Sequence, residues 1–226
     1  MCGRYSLIKE LDELIAFFQL DRKKRPNLAP RWNIAPTQNS AVVCAAGAGR
    51  ELRMMRWGFA GPNNAPLINA RSEAVAAKPT FAEAFRHRRC LVPADSFYEW
   101  QAIPAETGKK PQKQPWRISL KGGGLFAFAG LWQSEPASEG VECFTILTTA
   151  ANEYLAPLHE RMPVILPKES FADWLDPNAA SASLSALLKP YPAAAMARYR
   201  VTPVVNGTKV DDPSCFAPLN PALTIA

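Results

Sequence analysis

Apolar residues recur at helical spacing in only a few stretches of this chain. In KELDELIAFFQL, Leu11, Leu14, Ile15 and Phe18 share one face of a helix. PTFAEAFRHR repeats the pattern with Phe81 and Phe85, behind a proline suited to a first turn. KESFADWL and SASLSALL predict two more short helices near the C-terminus. Elsewhere short β-prone runs dominate: AVVCAA, ELRMMRWGF, PWRISLK, LFAFAGLW, CFTILTT and RYRVTPVV. The triple glycine at 122–124 separates two of these runs and predicts a hairpin connection. IPAETGKKPQKQ (103–114) is polar and basic and contains proline, so it predicts a surface loop. No repeat and no shift of composition marks a boundary. Residues 1–226 are expected to form one α+β domain, with a mainly antiparallel, barrel-like sheet core and a few short peripheral helices.

Composition sharpens this picture. The chain is 48% hydrophobic and 20% charged, which fits a globular protein with a substantial core. Its 21 prolines argue against long helices. No apolar run approaches the roughly 18 residues of a membrane span, and the charged KELDELIAFF stands where a signal peptide would be apolar. Five scattered cysteines without a CxxC pair argue against a disulfide framework and against a bound metal, and favour a reducing, cytoplasmic setting. A net charge of +6 weakly favours a polyanionic partner.

Several residues stand out against this background. Cys2 directly follows the initiator methionine in MCGRYSL. Removal of Met1 would put a free α-amine and a thiol on one residue; the alternative is a chance residue in a frayed terminus. Glu99 lies between Tyr98 and Trp100 in DSFYEW. Desolvation there would raise its pKa and make it a general acid, whereas simple strand alternation would turn it to solvent. Asn69 in PLINARSE and His159 in PLHERMPVIL interrupt apolar runs. His87, in the basic cluster FRHRRC, reads as a surface residue. Arg4, Arg71 and Arg161 could each hold a phosphate or make an internal ion pair.

Taken in order, MCGRY, WNIAPTQ, WGF, LINARSE, FYEW, LHERMPVIL and TPVVN resemble the signature segments of the SRAP (SOS response-associated peptidase) family. The resemblance runs from residue 2 to about residue 210. It implies binding of single-stranded DNA and crosslinking to abasic sites. It also implies a catalytic set of Cys2, Asn69, Glu99 and His159. Arg4, Arg71 and Arg161 would hold flanking phosphates, and Pro36, Trp100 and Thr148 would line the DNA channel. The chain departs from the family after WGF, where AGPNNAP supplies no aromatic residue between Phe59 and Leu67.

The implied chemistry agrees with elementary reactivity. An α-amine with a pKa of about 7.7–8.0 is partly neutral at pH 7, unlike a lysine at about 10.4. It would attack the open-chain aldehyde of an abasic site to give a Schiff base. The thiol would then add to the same carbon and close a thiazolidine, helped by its intramolecular position. Glu99 and His159 would move protons during sugar opening, and Asn69 would hydrogen-bond at the terminus. No cofactor is expected, and the functional unit is expected to be a monomer, nucleoid-associated when bound to DNA. A second reading is a cysteine peptidase or autopeptidase using Cys2 and His159. A third is a passive binder that uses only the basic surface, which leaves the second-position cysteine without a purpose.

Overall fold

Two apolar runs separated by Gly47 and Ala48 form the first hairpin of the core, β3 (Asn39–Ala46) and β4 (Gly49–Trp57). Gly47 sits at φ +55°, where a residue without Cβ is strain-free. In this computed structural model, which describes residues 2–21, 26–104, 112–135 and 140–219, the hairpin is part of a closed barrel. Its other strands are β6 (Arg89–Ala94), β9 (Phe126–Glu135) and β10 (Val141–Ala150). β3 pairs with β6, β6 with β9, and β9 with β10, all antiparallel. β10 closes the ring against β4 in parallel register, Phe144 opposite Trp57. β5 (Asn69–Arg71), β11 (Arg161–Pro163) and β12 (Ile165–Leu166) extend this sheet at its margins.

The second sheet has five strands, in the order β13 (Met196–Arg200), β8 (Gln112–Leu120), β7 (Ser96–Ile103), β1 (Tyr5–Leu7), β2 (Arg31–Ile34). Tyr5 of β1 packs edge-on against Trp57 at 5.1 Å and Phe128 at 5.9 Å, which joins the two sheets through one apolar core. The expected helices form. α1 (Leu11–Phe18) buries Leu14, Ile15 and Phe18, and α2 (Pro79–His87) buries Phe81, Ala84 and Phe85. α3 (Phe171–Leu175) and α4 (Ser181–Ala186) are as short as their patterns imply. His87 is exposed at the end of α2.

Three local expectations are corrected. The triple glycine does not close a hairpin, because β8 pairs only with β7 and β13, while β9 pairs with β6, β10 and β12. Gly122 and Gly123, at φ +82° and +61°, instead turn the chain from one sheet to the other. The loop expected at 103–114 is strand at both described ends, since Ile103 pairs with Gln112 across β7 and β8; residues 105–111 lie outside the described residues. RYRVTPVV ends as a strand at Arg200. Pro203, unable to donate to a ladder, opens a 3-10 turn over Pro203–Asn206.

Candidate active site

The antiparallel alignment of β1 with β7 continues past Tyr5, since Tyr98 N donates to Arg4 O at 3.0 Å. This draws the N-terminal segment into the protein. Cys2 has no exposed surface. Its carbonyl accepts from Asn69 Nδ2 at 2.9 Å, and its thiol donates to Arg4 O at 3.7 Å. The terminus is therefore anchored at Cys2 rather than frayed. β5 places Asn69 by running parallel to β10, with Asn69 opposite Ile146. Asn69 Oδ1 is buried without a hydrogen-bond partner among the described residues, so an acceptor faces the environment of Cys2 unused.

Glu99 does not follow simple alternation to solvent. β7 is an inner strand, and Phe97, Tyr98 and Glu99 are all buried, Glu99 at 4% exposure. Burial raises its carboxyl above the usual range; the positive amino terminus of the chain, the Trp100 backbone amide and Lys113 draw it back. Burial also pushes the Cys2 thiol far up, with the Glu99 carboxylate as the next cause, partly opposed by the amino terminus. His159 is shifted downward, by burial first and then by the same amino terminus. His159 Nδ1 accepts from Arg161 N at 2.9 Å, so the neutral ring carries its proton on Nε2 and can donate there.

Glu99 and His159 open onto a cleft of about 460 Å³, lined also by Arg4, Trp100, Lys113 and Asn206. Trp100 is fixed at its edge by Nε1–H donating to Asn206 Oδ1 at 2.7 Å, with the Arg4 guanidinium 5.8 Å from its ring centre. Arg4 is itself tied down, donating to Asn33 Oδ1 at 2.8 Å, Val205 O at 2.7 Å and Asn206 O at 3.1 Å. Asn33 Nδ2 gathers Val205 O, Gly207 O and Val210 O, so WNIAP and TPVVNG, far apart in sequence, form one wall.

The other predicted residues separate. Arg71 is exposed at the end of β5, and Pro36 is half-buried in a turn before β3. Arg161 makes a bidentate pair with Glu73, at 2.6 and 2.9 Å, which holds the Glu73 carboxyl below its ordinary value. Its internal ion pair is therefore formed in the free protein. Thr148 is corrected: it has no exposed surface, and its hydroxyl donates to Ala70 O at 3.4 Å. Its carbonyl and hydroxyl also take Arg161 Nη2, at 2.5 and 3.3 Å. It is a latch within the sheet rather than a surface contact: β5 and β11 pair with both edges of β10 here, and the Thr148 side chain is covered. WGF is core. Trp57 stacks on Phe144 at 6.2 Å, and a Cβ on Gly58, at φ +116°, would meet Pro66 at 2.7 Å.

Sequence reasoning missed Lys113, Asn206, Asn33 and Glu73. Three of them lie inside quoted motifs, but nothing local marked them as partners of the cleft. All five cysteines are free and buried. Among the described residues, no cluster of His, Cys, Asp and Glu could hold a metal ion, and no helix is long and apolar enough to cross a membrane.

Comparison with known proteins places this geometry. The chain is 39% identical over 223 residues to the abasic site processing protein YoqW of Bacillus subtilis, covering 94% of this chain and 97% of that one. It is 30% identical to the abasic site processing protein YedK of Escherichia coli over 77% of this chain and 79% of that one. It is 28% identical to the rat abasic site processing protein HMCES over 96% of this chain and 76% of that one. A crystal structure of a protein from Bacteroides thetaiotaomicron shares the fold, with a TM-score of 0.77 at 23% identity over 95% and 98% of the two chains. A phage-related protein from Bordetella bronchiseptica aligns with a TM-score of 0.72 at 29% identity over 88% and 94%. The family model for SOS response associated peptidase (SRAP) matches residues 1–208, and with it the chain belongs to that family.

Proposed function

We propose that this protein processes abasic sites in single-stranded DNA by linking its N-terminal Cys2, after loss of Met1, to the lesion aldehyde. The names of its relatives support abasic-site processing. The observation that carries the chemistry is geometric: Cys2 is buried and held through its carbonyl by Asn69 Nδ2 at 2.9 Å, and Glu99 and His159 line the cleft beside it.

The neutral α-amine of Cys2 attacks C1′, forming a C–N bond; loss of water leaves an imine. The S–H of Cys2 then adds across C=N. Sulfur bonds to C1′, its proton passes to nitrogen, and a five-membered thiazolidine results. The thiol starts protonated, so it needs a base, and a buried carboxylate beside it fits that need. His159 Nε2–H suits donation to the sugar ring oxygen as it opens. Asn69 fixes the Cys2 carbonyl and offers Oδ1 to the attacking nitrogen. The thiol–imidazole peptidase reading has less support, since the Cys2 thiol donates to Arg4 O and His159 Nδ1 is taken by Arg161 N.

Intact-mass measurement with and without an abasic oligonucleotide tests the proposal. The expected outcome is a protein lacking Met1 and an adduct heavier by the oligonucleotide minus one water. Failure to form any adduct with a Met1-free protein overturns it.

A further inference from the structure

The expected phosphate-binding arginines are mostly engaged inside the free protein. Arg161 is held by Glu73 and Thr148, and Arg4 by Asn33 and two carbonyls. A second set of cations lies across the sheet from the cleft. Glu99 of β7 is directly opposite Trp116 of β8, and Trp116 is directly opposite Arg200 of β13. Residues opposite each other on adjacent strands project to the same face, so Glu99, Trp116 and Arg200 form one row. Arg198, two residues earlier, shares that face.

The two guanidiniums flank the indole, Arg198 at 5.1 Å and Arg200 at 5.2 Å from the Trp116 ring centre. Arg198 also lies 4.5 Å from the ring of Tyr154, whose carbonyl it contacts. Tyr154 belongs to the same 151–160 connection that carries His159, so the row and the cleft share a rim. A cation–π contact engages a guanidinium through its face, which leaves the N–H edge of Arg200 for a ligand, while Arg198 spends one N–H on Tyr154 O and braces the indole from the other side. Arg200 is exposed, and among the described residues neither arginine has a carboxylate partner.

We propose that Trp116, Arg198 and Arg200 form a phosphate track that continues the cleft and holds the same single DNA strand beyond the lesion. This rests on the function proposed above and deepens it by assigning where the flanking strand runs. Two strand spacings put Arg200 about 10 Å from Glu99. At the 3.4 Å rise of a stacked strand, that is about three nucleotides from the reacting carbon. Guanidiniums bind phosphate bidentately whatever the base, so the track adds affinity without sequence preference.

The test uses undamaged single strands lengthened separately on the 5′ and 3′ sides of a short central segment. Wild-type protein should gain affinity on lengthening at one end. Its salt slope should steepen there by about 1.4, the release expected for two phosphates at roughly 0.7 each. Arg200→Glu and the double variant Arg198→Ala/Arg200→Ala should lose that gain and steepening while binding the short strand as wild type. They should also crosslink a short abasic strand at the wild-type rate. Lys189→Glu, an exposed charge reversal elsewhere, should keep the gain. The proposal is overturned by no length gain in wild type, by a full gain in Arg200→Glu, by equal loss in Lys189→Glu, or by equal loss on short and long strands. A normal abasic adduct alongside any of these leaves the function reading standing; absence of the adduct in wild type removes that reading instead.

Discussion

The barrel interior and the cleft rim are built on opposite principles. In the barrel, Trp57, Phe144, Phe128 and Tyr5 fill space with rings and leave few polar groups to satisfy. At the rim, Cys2 and Glu99 are buried as deeply and Asn69 is half-buried, yet each carries a polar or ionisable group that burial disfavours. The barrel contributes stability through apolar area removed from water. The rim gives some of it back by keeping ionisable groups away from water, which displaces their titrations, a pattern that clusters at functional sites. The two regions meet along β5: Asn69 lies opposite Ile146 of β10, and Trp57 Nε1 donates to Ile68 O at 3.0 Å, directly before Asn69.

The sharpest way to break this contrast is at Cys2. Cys2→Ser, with Met1 removed, should lose essentially all stable adduct but retain an imine that borohydride traps. An uncleaved N-terminal tag on wild type should abolish both. Denaturing gels with and without reductant read the two outcomes. A tagged protein that crosslinks normally would place the chemistry on the thiol alone.

Next comes Glu99→Gln, together with His159→Ala. Each should slow single-turnover crosslinking by about 10²–10⁴-fold while leaving binding to undamaged strand unchanged. Glu99→Gln carries a second expectation of opposite sign. Its folded pKa is raised, so wild type loses stability as pH climbs from the ordinary carboxylate range through the raised value. The glutamine variant should therefore melt higher at pH 7, with the advantage vanishing below the ordinary carboxylate range, about pH 4. Calorimetry across pH measures it. Equal melting at pH 7 would mean that the rim is not strained by this charge.

In the barrel the same logic inverts. Trp57→Ala should cost about 3–5 kcal/mol of unfolding free energy, read by denaturant titration, because a large ring leaves a cavity. Trp57→Phe keeps most of the ring but deletes the bond to Ile68 O. It should cost less stability and still slow crosslinking, by displacing Asn69. A Trp57→Phe protein with wild-type rate would show that barrel and rim are uncoupled.

The smallest effect is expected at Glu73. Its carboxylate occupies the Arg161 fork much as a phosphate would, but it is largely exposed, and such pairs are worth little. Glu73→Gln should tighten binding to undamaged single strand by about two- to fivefold. Fluorescence anisotropy at low salt measures it. Weaker binding would mean that Glu73 orients Arg161 instead of competing for it.

Much of both regions was legible from sequence, but unequally. Leu14, Ile15 and Phe18 announced α1, and AVVCAA and ELRMMRWGF announced the strands β3 and β4, because spacing and β-prone composition report which residues share an apolar face. The motif order around Cys2, Asn69, Glu99 and His159 pointed to the family that the comparisons show. The burial of Glu99 was not legible. Alternation told which face it takes on β7, but not that the segment around Cys2 would be drawn in beside that face.

What the sequence determined by itself, then, is local: short strands, short helices, a cysteine in second position and the polar interruptions of apolar runs. Tertiary structure alone decided the rest. The triple glycine could have closed a hairpin, but the edges of β8 and β9 were already taken by other strands. Thr148 could have faced a channel, but β5 and β11 pair with both edges of its strand and its side chain is covered. Arg161 found Glu73 from 88 residues away, and Asn33 found the Val205–Val210 wall from more than 170. A strand's neighbours and a charge's partner are set by which surfaces the whole chain brings together, and no local pattern carries that information.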